Sequence, residues 1–151
     1  MAVRLQAEPF DAGAEIARLS AGRTDAGAVV SFTGICRAEG ETGIVSAMTL
    51  EHFPGMAEEE LGRIEAEARS RWPLLDSLIV HRYGRLVPGD PIVLVLTLSA
   101  HREAAFEAAN FLMDYLKTSA PFWKKEESAA GTRWVQAKAE DDAARNRWHR
   151  P

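Results

Sequence analysis

Two stretches of this chain gather residue types able to do chemistry. The first is Ser99-Ala100-His101-Arg102, where a strand-like run gives way to a helical pattern. Backbone N–H groups at a helix start lack intrahelical partners and sit at the positive end of the helix dipole. An imidazole and a guanidinium added there make an anion site suited to phosphate or carboxylate. The plainer reading has His101 closing the strand and Arg102 in a surface ion pair, and residue types alone favour it. The second stretch is DYLKTSAPFWKKE, residues 114–126. Lys117 closes a helical pattern, where the dipole favours a cation whatever the function. In an extended Phe122–Glu126, Phe122, Lys124 and Glu126 share one face, while Trp123 and Lys125 share the other. Lys117 and Lys124 brought together across Pro121 would depress each other's pKa and supply a neutral amine as base or nucleophile. Spacing alone leaves helix-end electrostatics the stronger reading, with Lys125 solvated.

Other residues carry less. Arg37 precedes a glycine-rich loop of the kind that often bears sites, although a lone Arg is usually a surface residue. Cys36 reads as a small buried hydrophobe with no base nominated to activate it. Trp123, Trp134 and Trp148 read as packing rather than as an aromatic platform, and Glu58-Glu59-Glu60 as a solvated helix face.

Composition bounds the remaining possibilities. The 151 residues are 46% hydrophobic and 26% charged, which predicts one globular domain over residues 1–151 with a charged tail from about 140 to 151. A net charge of −4 disfavours a general nucleic-acid binder. Of the 18 Lys and Arg residues only four are lysine, and three of those lie in the 114–126 stretch. One cysteine and four scattered histidines offer neither a disulfide nor metal-ligand spacing. No apolar run approaches a bilayer span and no leader pattern opens the chain, so a cytoplasmic, membrane-free protein is expected.

The elements that must position these residues follow from periodicity. Strands are predicted at Val3–Ala7, Gly27–Cys36, Ile44–Phe53, Ser77–Tyr83 and Pro91–Ser99, with a loop at Arg37–Gly43. Asp11 is placed to cap a helix carrying Ile16 and Leu19. Pro54 is expected to start a helix running to about residue 72. A helix from His101 to Thr118 sets Ala105, Ala109, Leu112 and Leu116 on one face. Phe122–Glu126 and Thr132–Lys138 read as strands around an Ala-Ala-Gly turn, and the tail as a short helix. The alternation predicts an α/β or α+β domain.

Taken together, FTGICR at 32–37, LEHFPGMAEEEL at 50–61, HRYGRLVPGD at 81–90, SAHREAAFEAANFLMDYLKTSAPFWKKE at 99–126 and GTRWVQAK at 131–138 resemble the large, catalytic subunit family of molybdopterin synthase. The resemblance covers most of the chain. It implies an α/β hammerhead fold with an additional antiparallel β subdomain. It also implies a sulfurtransferase of molybdenum cofactor biosynthesis that uses no cofactor or metal of its own. Sulfur would come from the C-terminal Gly-Gly thiocarboxylate of a small ubiquitin-like carrier. The substrate would be cyclic pyranopterin monophosphate (precursor Z), two sulfurs making the molybdopterin dithiolene. Two large subunits would pair within a heterotetramer.

Position by position, the resemblance makes Lys117 and Lys124 the catalytic lysines. Lys117 would do acid–base or covalent work at the carrier terminus, and Lys124 would hold substrate and stabilise negative charge. Arg37, His101 and Arg102 would bind the substrate phosphate, and Lys138 would reach the neighbouring subunit's pocket. Phe32 and Met113 would pack around the site. Cys36 and Ser119 depart from the family pattern. The chain ends Arg150-Pro151 rather than Gly-Gly, so the sulfur carrier is expected to be another chain. The alternatives are a scaffold that only binds a ubiquitin-like partner, a stand-alone lysine-dependent enzyme, and a single-stranded nucleic-acid module.

Overall fold

PIVLVLTLS is apolar and β-branched almost without interruption, and such a run is stable as a strand only with both faces covered. In the computed structural model it forms β7, Pro91–Ser99, inside a four-stranded sheet of order β1-β5-β7-β2. Residues 2–40, 43–118, 122–135 and 139–149 are described by the structure. β5 (Leu74–Arg82) and β2 (Ala28–Ile35) flank β7 antiparallel, and β1 (Ala2–Gln6) lies parallel to β5.

Alternation along β5 and β7 divides the side chains between two cores. Leu78, Val80, Leu94, Leu96 and Leu98 face α1 (Ala12–Ser20), which contributes Leu19 and Ile16. Asp11 caps that helix, its carboxylate accepting the Ala14 N–H at 3.0 Å. Ile79, Val93 and Val95 face α2 (Met56–Arg71) and α3 (Arg102–Thr118), where Leu61, Ile64, Phe111, Leu112 and Leu116 meet them. Helix α2 starts at Met56, two residues after Pro54. Gly55 takes the cap position, and the Glu58 carboxylate accepts its N–H at 2.7 Å.

The second sheet is wholly antiparallel: β3 (Glu39–Gly40), β4 (Gly43–His52), β8 (Phe122–Ser128) and β9 (Gly131–Val135) run in that order, and β6 (Gly84–Leu86) also pairs with β4. Cys36, Met48, Leu50 and Leu86 form its small core. A helix-covered mixed sheet beside an antiparallel one agrees with the mixed α+β hammerhead and added β subdomain implied by the resemblance. α4 (Ala139–Asn146) carries the tail back onto α3. There Trp148 stands edge-on to Phe111 and Trp72, at 5.7 and 5.5 Å between ring centroids, and donates its indole N–H to Asp114 at 2.6 Å.

Candidate active site

Helix α3 leaves the core at Leu116, which is buried, and turns the next residue, Lys117, outward at its C-terminal end. The chain re-enters the described structure at Phe122. Ser119 and the Pro121 bend between them lie outside the described residues, as does Lys138. Phe122 is half-buried and lies flat on His81 of β5, ring centroids 4.0 Å apart and planes 13° from parallel. His52, opposite Phe122 on β4, approaches the same ring at 6.0 Å and stands 4.6 Å from Tyr83; its Nδ1 is buried with no hydrogen-bond partner. The lysine end of the molecule is therefore walled by two imidazoles and two aromatic rings.

Along β8 the alternation expected from the sequence is present. Lys124 and Glu126 follow Phe122 on the inner face, Lys124 Nζ lying 3.9 Å from Glu126 Oε1. Glu126 is buried, and its carboxylate presses against Gly40 so closely that a Cβ there would sit 2.5 Å from Oε2. Lys125 is on the outer face. It pairs with Glu51 at 3.7 Å and lies over the Trp134 ring at 5.0 Å, so it is partnered rather than simply solvated. Trp123 and Trp134 are exposed on that face, whereas Trp148 is packed.

Arg37 is exposed, but its neighbours are anchored. Cys36 donates its N–H to the Asp90 carbonyl and accepts that of Gly89, both at 2.8 Å, and Ala38 accepts the Val45 N–H at 2.6 Å. Burial pushes the Cys36 thiol up and Asp90 adds to it, against the pull of nearby Lys124. A protonated, buried thiol is a packing group, not a nucleophile.

His101 and Arg102 lie at the other end of α3. Together with Gly27, Ala100 and Glu103 they line a shallow cavity of about 500 Å³ at the helix N-terminus. Gly27 donates its N–H to the Ser99 carbonyl at 3.0 Å. A Cβ on Gly27 would stand 2.1 Å from the Ala100 carbonyl oxygen, so only glycine lets this turn fold back over the start of β2.

Within one chain these groups form two sites. Lys117, Lys124 and Arg37 fall toward the junction of the two sheets. His101 and Arg102 are separated from Lys117 by the length of α3, roughly 22 Å at 1.5 Å per residue. Arg37 follows the end of β2 that pairs with Pro91, while His101 follows the Ser99 end of β7, so the strand length divides these two as well. Phe32 is 40% exposed on β2, and Met113 packs against the main core. Among the described residues no cluster of His, Cys, Asp and Glu is gathered to hold a metal ion, and no helix is long and apolar enough to cross a membrane.

Residues 5–119 match the profile of the family described as MoaE protein. The chain belongs to the MoaE family. A molybdopterin synthase catalytic subunit from Mesorhizobium japonicum is 60% identical over 148 residues, covering 97% of this chain and 92% of that protein. A solved MoaE protein from Burkholderia ambifaria superposes with a TM-score of 0.83 at 52% identity, covering 98% of both chains. A complex of subunits 1 and 2 of molybdopterin-converting factor from Helicobacter pylori contains a chain of the same fold, with a TM-score of 0.71, 16% identity, and 91% and 90% coverage. Three residues that touch the candidate site escape a reading of residue types. Gly27 and Glu126 carry no motif signal beyond their place beside Ala100 and Lys124. His81 is a strand histidine whose ring partner is 41 positions away; only its inward place in the β5 alternation could have drawn notice.

Proposed function

We propose that this chain is the catalytic subunit of a molybdopterin synthase, a cytoplasmic sulfurtransferase acting on cyclic pyranopterin monophosphate. What supports it most directly is the His81–Phe122 stack, which Lys117 approaches from the end of α3 and which opens the strand that carries Lys124. The carrier's C-terminal thiocarboxylate enters between them as an extended peptide. Its sulfur bonds to a substrate carbon as a carbon–oxygen bond at that carbon breaks, the departing oxygen keeping the electron pair and taking up a proton. Water then cleaves the acyl–sulfur bond of the resulting thioester, leaving sulfur on the substrate and the carrier as a carboxylate, and a second carrier repeats the transfer. Lys117 serves the carrier terminus as acid–base or transient covalent group. Lys124, its charge balanced by Glu126, holds substrate and stabilises the negative charge that develops.

Arg37, His101 and Arg102 take the substrate phosphate, the last two adding the N-terminal dipole of α3. The length of α3 separates Arg102 from Lys117 of the same chain by more than one pterin can bridge. Pairing of two large subunits, with the anion cavity of one serving the lysines of the other, resolves that separation, and Lys138 is placed in the neighbour's pocket on the same reading. The test is reconstitution of purified chain, thiocarboxylated carrier and cyclic pterin monophosphate. Dithiolene product is expected, and no product with active carrier and intact substrate contradicts the proposal.

A further inference from the structure

His81 has no part in the chemistry above, yet it stacks on the residue that opens the Lys124 strand, and Lys117 lies near it. It is 8% exposed and shares the inward face of β5 with Ile79, beneath α3. Its Nδ1 lies 2.8 Å from the Arg82 carbonyl oxygen, which can only accept, so Nδ1 carries a hydrogen. That bond fixes the ring's plane, and Phe122 lies flat on it. β5 belongs to the sheet that carries α3 and Lys117; Phe122 opens the strand that carries Lys124 two residues later. The stack is thus a direct tie between the two sheets at the level of the lysines.

We infer that His81 is a positioning residue for the lysine pair: its ring, held in plane by the Arg82 carbonyl, is the shelf that seats Phe122 and so sets where β8 presents Lys124 relative to Lys117. This rests on the reading of Lys117 and Lys124 given above. The surroundings favour an uncharged ring. Leu5 and Val93 flank His81 on β1 and β7, Lys117 approaches from α3 and His52 from β4. The Arg82 guanidinium is turned away onto the Ala7 and Pro91 carbonyls. Burial lowers the His81 pKa to about 4, and the charges of Lys117 and His52 push the same way. The flat stack requires a planar aromatic group at this position.

The test compares His81→Leu and His81→Phe in the reconstituted reaction, with Lys117→Ala as reference. His81→Leu is expected to lower kcat roughly tenfold or more and, because Lys124 also holds substrate, to raise KM for the pterin phosphate. His81→Phe should recover most of kcat. Equal activity of the two variants would mean that volume alone matters and would overturn the inference. Full activity in Lys117→Ala would instead overturn the reading of the site. Phe122→Leu removes the stack from the other side and should reproduce the kcat loss, so the comparison survives a misfolded His81→Leu. Nitrogen NMR of the intact protein gives a readout independent of activity. A ring protonated at Nδ1 is expected at pH 7, and a neutral ring protonated only at Nε2 would lack the bond that fixes its plane and would overturn the inference.

Discussion

Lys124 and Glu126 form an ion pair along one face of β8, 3.9 Å between Nζ and Oε1, with the carboxylate buried against Gly40 and the ammonium half-exposed toward the lysine site. A buried carboxylate beside Lys124 fixes where that positive charge sits. Glu126→Gln keeps the shape and removes the charge. Turnover in the reconstituted assay should fall roughly tenfold with little change in the urea midpoint. Gly40→Ala, which pushes a methyl into the same carboxylate, should move turnover in the same direction.

At the anion cavity, Gly27→Ala sets a methyl against the Ala100 carbonyl and displaces the His101–Arg102 turn. Substrate KM should rise on the order of tenfold, with kcat at saturation nearly unchanged, because the lysines are at the far end of α3. Steady-state kinetics in pterin phosphate checks this. A fall in kcat at constant KM would place the glycine's effect elsewhere.

Acid stability follows from His81. Its folded pKa of about 4 lies below the ordinary value, so between those two pH values the unfolded chain binds more protons than the folded one. The stability that comes from keeping this ring neutral is complete above pH about 6.5, is lost as pH falls toward 4, and changes no further below that. One group shifted this far contributes about 3 kcal/mol over the window. Urea unfolding at pH 7, 5 and 4 should show that loss in the native chain and a shallower one in His81→Phe.

The tail offers a structural prediction. Trp148 packs on Trp72 and Phe111 and donates to Asp114, which also pairs with Arg147 at 2.7 Å. Trp148→Ala should free α4 while leaving the two sheets folded, seen as rapid proteolysis confined to the region after β9.

Much of this architecture is legible in the sequence because it rests on local periodicity. β7 matches its predicted bounds, α3 starts one residue later than predicted, and Asp11 caps α1 as its residue type requires. Boundaries set by tertiary contacts are not legible. β5 begins at Leu74 rather than Ser77 because Leu74 pairs across to Ser99, and the predicted Arg37–Gly43 loop contains the short β3, which exists only by pairing with β4. At the site, the alternation of Phe122, Lys124 and Glu126 follows from strand geometry, as does the outward turn of Lys125. The stack of His81 on Phe122, the Cβ-free approach of Gly27 to Ala100 and the wall that Glu126 makes against Gly40 join residues far apart in the chain. No spacing rule reaches them.

Under the proposed function, sulfur transfer depends on Lys117. Single-turnover reconstitution of Lys117→Ala with thiocarboxylated carrier and cyclic pterin monophosphate tests it most directly, with carrier binding measured in parallel. Product formation should fall by at least about a hundredfold while the carrier still binds. Full product formation by that variant would show that Lys117 has no part in the transfer.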